Sequence, residues 1–131
     1  MKYFFIILFI LLTLNSFAQN KAPNAAGVYE QPEIAAYFQA GKDSLDRFIM
    51  HNIRLQNTAR GHGVNSNAIV VFIVEKDGSV GAAEILRTSG DKEFDSESVR
   101  IAKSMPKWVP ARDKGEVVRS SNMLTFSYRL N

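Results

Sequence analysis

The chain has no cysteine. No disulfide can brace it, and thiol catalysis and cysteine-based zinc sites are excluded. Histidine is scarce: His51 and His62 are the only two, and no further ligands stand around them at metal-site spacing. Both read as solvent-facing side chains, and no metal is expected. Charge of one sign is in short supply as well, with 16 Lys and Arg against 13 Asp and Glu, a net +3. That balance is too mild to argue for nucleic acid. A single tryptophan, Trp108, leaves no aromatic series on which bases could stack. There is no G-x-S-x-G elbow, and Gly61-His62-Gly63 is too short for a phosphate loop, with no Lys-Ser/Thr after it. The acid pairs Asp43/Asp46 and Asp95/Glu97 are better explained by helix N-termini than by acid–base chemistry. The chain is therefore read as a non-enzyme without cofactor.

Only one long hydrophobic run is present, from Tyr3 to Leu14. At about a dozen residues it falls short of the roughly 20 that span a bilayer. Lys2 precedes it, and Ser16 and Ala18 stand at −3 and −1 before Gln19, the pattern of a signal-peptidase site. Residues 1–18 are read as a cleaved signal peptide, which marks the mature chain for export. The alternative is an uncleaved N-terminus anchored in the inner membrane. No cysteine follows, so lipoprotein-type lipidation is excluded. Cleavage leaves 15 basic against 13 acidic residues.

Residues 19–42 hold no sustained period and read as a flexible lead-in, with Ile34–Phe38 packing locally and ordered structure beginning near Asp43. In DSLDRFIMHNIRLQN, Leu45, Phe48, Ile49 and Ile53 share one helix face; Asp43 or Ser44 can cap its first turn. A loop of about ten residues follows. NAIVVFIVE (67–75) is β-branched and apolar on both alternating faces, a strand with one face under helices and the other partly covered. Asp77-Gly78 supplies the positive φ of a tight hairpin, so a second strand runs from Val80 to about Thr88. FDSESVRIAKSM (94–105) makes a second helix with Phe94, Ser98, Ile101, Ala102 and Met105 inward; Pro106 ends it. Leu124, Phe126, Tyr128 and Leu130 then alternate with Thr125, Ser127 and Arg129 as a half-buried strand. The expected fold is α+β: a two-layer sandwich of a three-stranded antiparallel sheet and two helices. Phe72, Phe94, Ile101, Phe126 and Tyr128 are its expected core.

The ordered set VVFIVEKDGSV (70–80), EILRTSG (84–90) and FDSESVRIAKSMPKWVPARDKG (94–115), closed by an aromatic strand, resembles the C-terminal domain of the TonB family over about residues 43–131. The signature positions are Asp77, Gly78, Pro106, Trp108, Pro110 and Gly115. Two departures lie before the first strand: Leu55-Gln56 stands where many members have Tyr-Pro, and Ser66 where a Gly is frequent. The resemblance implies a periplasmic domain that binds a short segment of an outer-membrane transporter by adding it as a strand to the sheet edge. Backbone hydrogen bonds suit that task because they tolerate varied side chains. The implied edge is the C-terminal strand: Asn122, Met123, Leu124, Thr125, Phe126, Ser127, Tyr128 and Arg129. Its outward Thr125, Ser127 and Arg129 are polar, which keeps the edge soluble.

A membrane anchor and a long spacer, the other parts of an energy transducer of this family, are not evident: residues 19–42 contain only Pro23 and Pro32. The chain is therefore expected to be a free TonB-like module whose partner is a TonB-dependent transporter or another envelope protein. The alternatives are a short membrane-anchored transducer and an envelope assembly protein that self-associates, as a homodimer, through the edge strand. The basic residues Arg100, Lys103, Lys107, Arg112, Lys114 and Arg119 read as a solvated face, with an anionic partner as the alternative. Trp108 is expected to anchor the crossing between its two prolines, its indole N–H needing a partner if buried.

Overall fold

The computed structural model describes residues 22–54 and 66–128. Elements follow in the order β1 (Val28–Tyr29), α1 (Lys42–Asn52), β2 (Ser66–Val74), β3 (Val80–Arg87), α2 (Lys92–Ser104), β4 (Ala111–Asp113) and β5 (Glu116–Tyr128). The signal-peptide assignment, His62, Leu55, Gln56 and Arg129 lie outside the described residues.

β2 is the middle of the sheet. It pairs antiparallel with β3 and, on its other side, with β5, giving the order β1-β5-β2-β3. Its alternation sorts the layers. Ala68, Val70, Phe72 and Val74 are buried under the helices, while Ile69, Val71 and Ile73 are half-buried on the opposite face. Leu45 of α1 joins Phe94, Ile101 and Ala102 of α2 in the same core cluster as those four β2 residues and Phe126. Phe48, Ile49 and Ile53 pack against it. The two-layer α+β arrangement and both helix faces are as the sequence implies. The side chain of Tyr128 lies outside the described residues.

The sheet differs from expectation at its margins. It has five strands rather than three, because β1 pairs in parallel with β5 and β4 pairs antiparallel with it. Strands of two and three residues are too short to show a period. Ordered structure also begins well before Asp43. Ile34 and Tyr37 bridge Arg112 and Val109, Ala36 is buried, and the Glu33 N–H donates to the buried Asp113 Oδ1 at 3.0 Å. The cap of α1 is displaced as well. Gly41 is the N-cap, with no side-chain bond, and its carbonyl accepts from Leu45 N–H at 3.1 Å. Asp43 therefore lies inside the first turn.

α2 is tied at its start and at its middle. Asp91 caps it by accepting from Phe94 N–H at 2.9 Å. Asp95 reaches back to the preceding turn, accepting from the Ser89 N–H at 2.9 Å, the Ser89 hydroxyl at 2.6 Å and the Thr88 hydroxyl. Glu97 accepts from the Arg54 N–H at 2.7 Å and pairs with Arg100, whose Nη2 donates to the Asn52 carbonyl at 2.6 Å. The pair thus joins the end of α1 to α2.

These bonds depress both carboxyls. For Glu97 the Arg100 guanidinium is the main cause, opposed by burial and aided by the Arg54 N–H. For Asp95 burial works upward, and the Ser89 and Thr88 donors outweigh it. A carboxyl lowered on folding stabilises the fold above its unfolded value and loses that contribution as pH falls through its folded value. With ordinary values of 4.5 and 3.8, the denaturant midpoint is expected to be flat at neutral pH and to decline as pH falls below them. Asp95→Asn and Glu97→Gln should each flatten that decline. Unchanged profiles in both variants would refute the assignment.

Candidate strand-binding edge

The long strand β5 positions the edge. From Ser120 to Tyr128 it forms an unbroken ladder with β2, nine partners from Val74↔Ser120 to Ser66↔Tyr128. Its other side meets β1 only at Arg119 and Ser120. Among the described residues, no strand is registered there against 122–128. Phe126 is buried and Asn122 and Leu124 are half-buried beneath the sheet; Thr125 and Ser127 are exposed above it. Met123 shares that outer face and is 64% exposed, an apolar member of a face that otherwise reads as polar.

The sheet has a second edge, β3, which the sequence reading did not weigh. It is less suited to receive a strand. Its ladder with β2 is interrupted by two register shifts, between Ile69 and Val70 and between Phe72 and Val74, and it carries exposed Glu84 and Arg87. Irregular pairing and edge charges are the features that discourage further strand addition.

Of the signature residues, Gly78 and Trp108 meet where the β2–β3 turn lies against the Pro106–Pro110 crossing. The β2–β3 turn closes with Glu75 N–H donating to Ser79 O at 2.8 Å and Gly78 N–H donating to Glu75 O at 2.9 Å. Asp77 Oδ1 accepts from the Ser79 N–H at 2.9 Å and hydroxyl at 2.6 Å, the main reason its carboxyl is held below the usual range. Gly78 O then accepts from Trp108 N–H at 2.8 Å, so the turn and the Pro106–Pro110 crossing are joined backbone to backbone. Trp108 is 8% exposed and packs on Phe38 at 5.6 Å and Phe72 at 5.2 Å between ring centroids. Its buried indole N–H has no protein hydrogen-bond partner among the described residues. Lys114 (φ 50) and Gly115 (φ 78) make the turn from β4 into β5.

The basic residues are partly engaged. Arg119 forks onto Glu75 at 2.6 and 3.1 Å, and Arg100 pairs with Glu97. His51 Nδ1 lies 2.8 Å from its own helix's Arg47 carbonyl. Among the described residues no group of His, Asp and Glu could hold a metal, and no helix is long and apolar enough to cross a membrane.

Residues 57–130 match the family model described as Gram-negative bacterial TonB protein C-terminal. No curated protein matches the chain. Among solved structures, it is similar to the NMR solution structure of the Helicobacter pylori TonB C-terminal domain, at 18% identity and a TM-score of 0.46, over 66% of this chain and 78% of that one. It is also similar to the solution NMR structure of the Pseudomonas aeruginosa TonB C-terminal domain, at 23% identity and a TM-score of 0.42, over 59% and 77% of the two chains. The family match covers more than half of the sequence, and the chain belongs to the TonB C-terminal domain family, a non-enzymatic family of periplasmic domains that takes part in TonB-dependent transport and engages outer-membrane transporters.

Proposed function

We propose that this chain is an exported, periplasmic TonB-like module that binds an extended segment of an outer-membrane transporter by β-strand addition along residues 122–129, of which β5 carries 122–128. The observation that carries this reading is the regular ladder of β5 with β2, which leaves a row of evenly disposed backbone donors and acceptors on the opposite side. A guest strand satisfies such groups without demanding a particular side-chain sequence. The exposed Met123 and the half-buried Leu124 give the guest apolar neighbours on both faces of the sheet.

The test is an NMR titration with peptides taken from the periplasmic N-terminal segments of such transporters. Amides 122–128 should shift together, and Thr125→Pro, which removes one N–H and stiffens the strand, should weaken binding about tenfold or more. Shifts confined to β3 or to the helices would place the site elsewhere. Export is tested separately by mass spectrometry of the mature protein: a chain beginning at Gln19 fits the free module, one beginning at Met1 an anchored transducer.

A further inference from the structure

β1 lies on the same side of β5 as the open stretch and stops where that stretch begins. Val28 and Tyr29 pair in parallel with Arg119 and Ser120. Continued in the same direction, the segment would run along the edge toward Tyr128. It does not continue: Pro32, which has no N–H to give to a ladder, follows within three residues, and the chain turns to bridge Arg112 from Ile34 instead.

What holds β1 is local and small. Asn24 Oδ1 accepts from the N–H groups of Ala26 and Val28, both at 3.0 Å. Arg119 Nη1 donates to the Ala26 carbonyl at 2.8 Å. Val28 is 3% exposed yet stands apart from the main core cluster, against which only Tyr29 of the two packs. A cavity of about 290 Å³ opens between Ala26 and Glu30 on one side and Val71, Ile73 and Ser121 on the other. Residues 22–27 and 30–31 are exposed. An element with so few buried contacts opens at low cost relative to the core.

We propose that residues 24–30 are a displaceable strand. They fill, in cis, the near end of the edge that receives a partner strand on the reading above. The edge is thereby set to a length. A partner that stays within Ser121–Tyr128 binds beside β1, whereas one that pairs back to Arg119 must evict it. Because β1 is tethered, it competes at an effective concentration on the order of millimolar, so the longer pairing is penalised until β1 leaves.

The experiment uses the full chain and two end-capped Thr-Val repeat peptides carrying a terminal lysine pair, one of eight residues and one of ten. In the unaltered chain the longer probe should bind no more than about twofold better than the shorter. Val28→Asp, and Asn24→Ala as a variant of an exposed residue that leaves the core intact, should raise affinity for the longer probe by about tenfold and leave the shorter unchanged. Equal gains for both probes, or none for either, overturn the proposal. Amide hydrogen exchange reads β1 without any peptide: Val28 and Tyr29 should exchange on the order of a hundredfold faster than Val70 and Phe72, and equal protection overturns displacement. If neither probe moves amides 121–128 in any chain, the edge reading fails, and exchange still decides β1 alone.

Discussion

Gly78→Ala is expected to destabilise the domain by about 3–5 kcal/mol, combining left-handed strain, overpacking and a lost hydrogen bond. The residue sits at φ 86, where an L side chain is strained. The space is closed as well: a Cβ placed there would lie 2.1 Å from the Trp108 carbonyl oxygen. That oxygen belongs to backbone fixed between two prolines and cannot retreat as a side chain could. Relief would have to come from separating the turn from the crossing, which breaks the 2.8 Å bond from Trp108 N–H to Gly78 O. Against a typical total of about 5–15 kcal/mol, this is a large fraction. Urea denaturation of the two proteins measures it. A loss below about 1 kcal/mol would mean that the turn tolerates the side chain and that the backbone junction is not a fixed point of the fold.

The reach of the sequence can be read from individual elements. Leu45, Phe48, Ile49 and Ile53, and Phe94, Ile101, Ala102 and Met105, are spaced as helix faces, and the structure turns them to one core. The Asp-Gly pair marks the hairpin. What stayed hidden is what depends on distant partners. β1 is two residues long and exists because Arg119 and Ser120 lie beside it; no local pattern announces such pairing. The α1 cap lies at Gly41 rather than at Asp43 or Ser44, just after Phe38, whose carbonyl accepts from Gly41 N–H at 2.9 Å. Phe38 itself packs on Trp108, so a tertiary contact stands directly before the helix start. The contrast between the two sheet edges rests on register shifts in β2–β3, which alternation in either strand alone does not reveal. The edge residues were legible as a half-polar strand, but not that β1 would share their side of it.

Trp108→Ala should cost about 3–5 kcal/mol, the range for removing a large aromatic from a packed site. The ring fills the space between the crossing and the sheet, touching Phe72 of β2 at 5.2 Å and Phe38 of the lead-in at 5.6 Å. Its loss therefore loosens two elements together, and the lead-in, held otherwise by short bridges, should lose hydrogen-exchange protection first. Trp108→Phe separates packing from polarity. It keeps most of the apolar contact and deletes an indole N–H that is buried without a protein hydrogen-bond partner among the described residues. Such a donor carries a desolvation cost of about 1–3 kcal/mol, so its removal offsets part of the lost volume and the phenylalanine variant should lie well above the alanine one in stability. Equal losses in the two variants would show that the N–H has a partner, an ordered water being the simplest, and that this bond carries the anchoring as much as the ring does. If instead Trp108→Ala remains as stable as the parent but no longer binds peptide, the residue contacts the ligand, and the packing role assigned to it is wrong.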